Sequence, residues 1–182
     1  MAKLSPLHKQ IGKIVRDIFR DGAFPDCELK EDPACGGAQN LPLFCSHQFN
    51  NATEFCNVDL LVLRKQKIRI LIEIEEANVK PVQICGKLMA SALCRFHTRK
   101  RSSCNARPMA NGVLFLQILD TKNLKASSRK RQQWHQLERA IKSVLPLRDS
   151  RVNNYRIFTG SADCFRDAEP LVASIRDALA KD

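Results

Sequence analysis

No apolar run in the 182-residue sequence approaches the roughly 20 residues that a membrane-spanning helix needs. The opening MAKLSPLHKQIGKIV has neither the continuous apolar centre nor the small-residue cleavage site of a secretory leader. Cytosol is therefore the expected compartment, with reduced thiols rather than disulfides. No two cysteines are spaced Cys-x-x-Cys, which argues against a zinc ribbon or a dithiol redox motif. There is no P-loop and no G-x-S-x-G elbow, and the four histidines, His8, His47, His97 and His135, are scattered. A nucleotide-hydrolysing loop and a serine-hydrolase triad are thus poorly supported.

What is present is positive charge. Thirty Lys and Arg face 19 Asp and Glu, a net charge of +11. A surplus of this size favours nucleic acid or another polyanion as partner. It is concentrated: Arg95, Arg99, Lys100, Arg101, Arg107, Lys122, Lys125, Arg129, Lys130 and Arg131 fall in one stretch whose only acid is Asp120. Such runs contact phosphates and make binding fall steeply with salt. Asn105, Asn111, Gln132 and Gln133, with Arg107, supply side chains able to read base edges. RKR at 99–101 or RKR at 129–131, taken alone, also fits a solvated surface.

The eight cysteines are numerous for a cytosolic chain. Cys27, Cys35, Cys45, His47 and Cys56 lie in one loop-rich stretch, at about 22–56, and a structural zinc site there is an alternative reading. That would make the protein a basic scaffold.

The element pattern is α/β, in a single domain of 182 residues. Ser5-Pro6 can start a helix whose inner face carries Leu7, Ile11, Ile14, Val15 and Ile18, with Asp21-Gly22 ending it. Residues 22 to 53 are broken by Pro25, Pro33, Gly36, Gly37 and Pro42, and read as irregular apart from a short strand near Leu43-Phe44. VDLLVL (58–63), the polar turn RKQK (64–67) and IRILIEIE (68–75) read as an antiparallel hairpin. Pro81 opens a helix, with Cys85, Leu88, Met89, Ala92, Leu93 and Phe96 expected inward and Gly86 expected to allow close packing on the sheet. Gln83, Lys87, Ser91 and Arg95 are expected on its polar side. GVLFLQIL (112–119) reads as a buried strand, and 127–145 as a helix with Trp134, Leu137, Ile141 and Val144 inward. YRIFTG (155–160) is a strand, and Asp167 can cap a last helix carrying Leu171, Val172, Ile175 and Leu179. Strands alternating with helices imply a mixed β-sheet flanked by helices on both faces.

Inside the hairpin, Glu73 and Glu75 sit one residue apart in an apolar run. Residues i and i+2 share a strand face, about 7 Å apart, and like charges that close repel unless a cation lies between them. Antiparallel pairing brings Asp59 toward both. Three carboxylates on adjacent strands suit a divalent metal, since Mg²⁺ takes hard oxygen ligands and keeps several waters.

Asp59, a fourteen-residue step to Glu73, then Ile74 and Glu75, within a helix–strand–strand–helix–strand order, resembles the PD-(D/E)XK nuclease superfamily. The order of elements matches over most of residues 5 to 160, and the residues themselves match over 58 to 87. The resemblance implies a restriction-endonuclease-like fold and a metal-dependent endonuclease hydrolysing DNA phosphodiester bonds. RNA is left open beside DNA. Two-fold dimers are implied as well, since a duplex has two strands to cut. Metal binding would fall to Asp59 and Glu73, with Mg²⁺ the expected ion and Mn²⁺ its substitute. Glu75 would be a ligand or general base. There are departures. Val58 replaces the proline, and Glu75 stands where the family carries lysine. Lys80 or Lys87 would then supply that charge. The departure keeps alive the alternative of an inactive nuclease-like fold that only binds nucleic acid.

Overall fold

In a computed structural model, residues 6–20, 22–76, 79–99, 103–125, 127–166 and 168–180 are described. Helix α1 (Pro6–Arg20) leads to β1 (Cys27–Glu31), β2 (Leu41–Phe44), β3 (Glu54–Val58), β4 (Leu60–Arg64) and β5 (Lys67–Glu75). Then come α2 (Pro81–Ala92), β6 (Phe96–His97), β7 (Arg107–Asp120), α3 (Lys130–Val144), β8 (Val152–Gly160) and α4 (Glu169–Ala180). Eight strands form an open mixed sheet in the order β1-β4-β5-β7-β6-β2-β3, with β8 also pairing β7. The β5–β7–β8 pairs are parallel, and β1–β4–β5 and the small β3–β2–β6 group are antiparallel. No helix among the described residues is long and apolar enough to cross a membrane.

Alternation along the strands divides the core into two layers. Leu60, Val62, Ile70, Ile72, Leu114 and Leu116 point toward α1 and α4, where Ile11, Val15, Leu171 and Ile175 meet them. Leu61, Leu71, Phe115 and Leu119 point the other way, toward Ile84 and Leu88 of α2 and Trp134 of α3. The hairpin falls where expected. Its two-residue turn is Lys65–Gln66, both at positive φ, the conformation that matches strand twist in tight hairpins. Gly12 of α1 seats that helix on the loop after β1: a β-carbon there would come 2.5 Å from the Cys35 carbonyl oxygen. Gly12→Ala is expected to cost about 1–3 kcal/mol through overpacking, read as a lower urea midpoint.

Four expectations need correction. First, the segment 22–53 is mostly irregular and carries the expected short strand at Leu43-Phe44, but it also holds a strand, β1, that was not expected. The expected strand is β2, and β3 follows the segment at once. Among the described residues β1, with sequence CELKE, pairs with β4 alone, and edge strands carry charges that hide the apolar pattern. Second, α2 is rotated from its expected face. Ile84, Leu88, Ser91 and Ala92 are buried, while Cys85, Val82, Met89 and Leu93 are exposed, and Phe96 lies in β6 rather than the helix. The rotation turns Lys87 and Ser91 toward the sheet. Third, Gly86 has open space where its β-carbon would stand, so it serves no close packing. Fourth, Val144 of α3 is exposed. The expected caps Ser5 and Asp167, and Asp21 at the end of α1, lie outside the described residues.

Candidate active site

β3 runs into β4 through a bend at Asp59, where the chain passes from the small antiparallel group into the main sheet. The bend is held on all sides. The Asp59 N–H donates to the Ile72 carbonyl at 3.2 Å, and its carbonyl accepts from Asp32 N–H at 2.9 Å. Its carboxylate Oδ2 accepts from Ile74 N–H at 2.6 Å. Leu60 pairs with Ile72, so Asp59 stands opposite Glu73 in antiparallel register.

Glu73 and Glu75 share a face with Leu71, the face that α2 covers. Glu73 is 1% exposed. The Lys87 ammonium reaches down from α2 to Glu73 Oε2 at 3.2 Å and to Glu75 Oε1 at 3.8 Å. Burial raises the Glu73 carboxyl well above its ordinary pKa, and the neighbouring Asp59 raises it further, against the pull of Lys87. Burial also raises Glu75. For Lys87, burial opposes the charge, but Glu73 and Glu75 outweigh it and raise the pKa. Glu73 Oε1 and Glu75 Oε1 are buried without a hydrogen-bond partner. Such orphaned acceptors carry a desolvation cost.

Glu76, just after β5, was not expected in the cluster, and two further unexpected residues complete it. His8, on the first turn of α1, places Nδ1 3.0 Å from Glu76 Oε1 and Nε2 3.6 Å from Asp59 Oδ1. Burial lowers its basicity, yet the two carboxylates prevail and raise its pKa to about 9. A folded pKa above the unfolded value gives stability that is complete below about pH 6.5 and lost as pH rises toward 9. The group is partly exposed, so the loss is on the order of 1–2 kcal/mol after solvent screening. Urea midpoints measured from pH 6 to 9.5 in EDTA are expected to fall in the wild type and to stay flatter in His8→Gln. The other residue is Gln117, fully buried beside Glu73 in the β5–β7 register. Its Oε1 accepts from Tyr155 Oη–H, and its Nε2 has no partner. A polar residue inside the run LFLQIL was the available signal for Gln117. His8 had none, because its partners are 51 and 68 positions away.

Lys80 is exposed at the N-terminus of α2, and among the described residues it makes no ion pair with these acids. Of the two candidate lysines, Lys87 is the one brought to the site. Lys100 and Arg101 lie outside the described residues. Arg99 and Arg107 line a cleft on the β6 side of the sheet, and Arg95 a separate one with Asp149 and Arg151. Lys122, Lys125, Arg129, Lys130 and Arg131 follow the C-terminal end of β7, the end at which Gln117 and Leu119 pair with Glu73 and Glu75.

Among the described residues, no three His, Cys, Asp or Glu side chains are gathered as a ready-made metal cage. That covers Cys27, Cys35, Cys45, His47 and Cys56, of which Cys35 is buried and Cys56 lies 3.6 Å from Ser91 Oγ. It covers the carboxylates too, which stand apart with Lys87 between two of them. Their donor chemistry nonetheless fits a hard divalent ion. Among the described residues, Asp59, Glu73, Glu75 and Glu76 meet two cations, His8 and Lys87. When all are ionised the cluster lacks two positive charges, and two of its buried carboxylate oxygens have no hydrogen-bond partner. Compared with family models, curated proteins and solved structures, the chain matches none.

Proposed function

We propose that the protein is a metal-dependent nuclease of restriction-endonuclease-like fold that hydrolyses DNA phosphodiester bonds. The observation that carries this reading is the set of acids beside Lys87, two of whose buried carboxylate oxygens have no hydrogen-bond partner, in a chain of net charge +11. Asp59 and Glu73 would hold Mg²⁺ or Mn²⁺. The ion, when bound, supplies a more acidic water and neutralises charge on a phosphate oxygen. Glu75, whose pKa burial raises, would be a further ligand or take a proton from the attacking water. Lys87 offers its ammonium to the charge that builds on the phosphate. His8, whose Nε2 lies 3.6 Å from Asp59 Oδ1, would steady that carboxylate as a positioning residue. Lys122 and the basic start of α3 would hold the nucleic-acid backbone.

A second reading is favoured by one observation. Lys87 already neutralises part of the Glu73–Glu75 pair, as it would in an inactive fold that only binds nucleic acid. The discriminating experiment incubates supercoiled and linear DNA with the protein in Mg²⁺, Mn²⁺ or EDTA. Cutting in metal and none in EDTA is expected. Intact DNA in every lane, from folded protein that binds it at low salt, would overturn the nuclease reading in favour of the second.

A further inference from the structure

Away from the acid cluster, Lys30 of β1, His97 of β6, Arg99, Asn105 and Arg107 line one small cleft of about 200 Å³. It is below the roughly 300–1,000 Å³ of sites that enclose a whole small molecule, so it suits one chemical group. Among the described residues no carboxylate lines it. Lys30 shares its charge with Glu28 at 2.5 Å, whereas Arg99 and Arg107 have no carboxylate partner among the described residues. Three cations and an amide around a group-sized space select a compact anion with several oxygens.

The histidine narrows the choice. His97 is 1% exposed, its Nδ1–H donates to the Pro42 carbonyl at 2.9 Å, and its Nε2 has no partner. Burial, reinforced by Lys30, Arg99 and Arg107, pushes its pKa down to about 4. The ring is therefore neutral near pH 7, and with Nδ1 protonated Nε2 is an acceptor. An anion that satisfies both the cations and this nitrogen must bring its own O–H. Hydrogen phosphate does. Sulfate and an internal phosphodiester do not.

We propose that this cleft binds a single phosphate group bearing a P–OH, either free hydrogen phosphate or, in the singly protonated form it takes below about pH 6, the terminal phosphate of a nucleic-acid strand. The strand-end source rests on the nucleic-acid reading above, while the free-phosphate source does not. The test is calorimetry in EDTA, where cleavage plays no part, with inorganic phosphate, sulfate, and oligonucleotides with and without a terminal phosphate. Arg107→Gln is run beside the wild type, with its far-UV spectrum as the folding control. Saturable phosphate binding is expected, at least about ten-fold tighter than sulfate and about ten-fold weaker in the variant, the worth of one charge-assisted hydrogen bond. The ¹⁵N shift of His97 Nε2 should move on binding. Preference for the phosphorylated strand would assign the strand end, and equal affinity for both strands would leave free phosphate as the ligand. No saturable phosphate binding, equal affinity for sulfate, or an unaffected folded variant would overturn the proposal. Phosphate binding by a protein that cuts no DNA would sink the nuclease reading and leave the pocket standing.

Discussion

Glu73→Gln is expected to lower metal-dependent cleavage by about 10³-fold and, in the same protein, to raise stability in EDTA. The two effects share one cause. Glu73 is buried, bears a carboxylate oxygen with no hydrogen-bond partner, and faces Asp59. A ligand to the ion supplies several kcal/mol of charge stabilisation in the transition state, and each 1.36 kcal/mol is a decade in rate. In the metal-free protein the same charge is a liability. A carboxyl whose folded pKa is raised gives stability that is present below about pH 4.5 and lost as pH rises through the folded pKa. Near neutral pH Glu73 therefore costs stability, as a buried charge or as a carboxyl that must take up a proton, that a neutral amide does not. Losing the Glu73–Lys87 contact offsets little, because Lys87 is 41% exposed and water can solvate it. The urea midpoint at pH 7 should rise by more than the roughly 0.5 kcal/mol scatter of surface substitutions, and the two proteins should converge near pH 4. Retained cleavage would remove Glu73 from the site, and a lower midpoint would mean that the Lys87 pair outweighs the burial.

Asp59 separates catalysis from architecture. Asp59→Asn and Asp59→Ala are both expected to lose cleavage by about 10³-fold, since both remove the charge that would hold the ion. They should differ in stability. The Asp59 carboxylate accepts the Ile74 N–H at 2.6 Å. Asparagine keeps an acceptor there, whereas alanine leaves a partly buried amide unsatisfied, at a cost of about 1–3 kcal/mol. Cleavage rates set beside denaturation midpoints for both variants give the comparison. Equal stability of the two would mean that the hydrogen bond contributes nothing net. An asparagine variant that cuts at wild-type rate would exclude Asp59 as a metal ligand.

The hairpin, its turn and the sharing of a face by Glu73 and Glu75 were legible because each follows from local alternation. The inner faces of α1 and α4 were legible for the same reason: Leu7, Ile11, Val15, Leu171 and Ile175 are buried at helical spacing. The face of α2 was not. Val82, Cys85, Met89 and Leu93 make an apolar stripe as regular as the buried one, and hydrophobicity alone cannot choose between two such stripes. The choice is made by polar contacts, Lys87 with the acids and Ser91 with Cys56, which no periodicity encodes. β1 escaped notice because an edge strand with two glutamates and a lysine looks like loop. His8 belongs to the site only through tertiary approach. Its own neighbourhood reads as an ordinary helix start.

The bend at Asp59 bears on how this protein would change over evolutionary time. The residue's N–H, C=O and carboxylate each hold a different neighbour: Ile72, Asp32 and Ile74. A lineage that abandoned chemistry would still be selected to keep aspartate or asparagine there, because the backbone needs an acceptor at that point. Glu75 and Lys87 carry no such duty and would be free to drift. An aspartate at this position in a divergent descendant would thus mark retention of the fold, whereas glutamate at 73 together with lysine at 87 would mark retention of the chemistry.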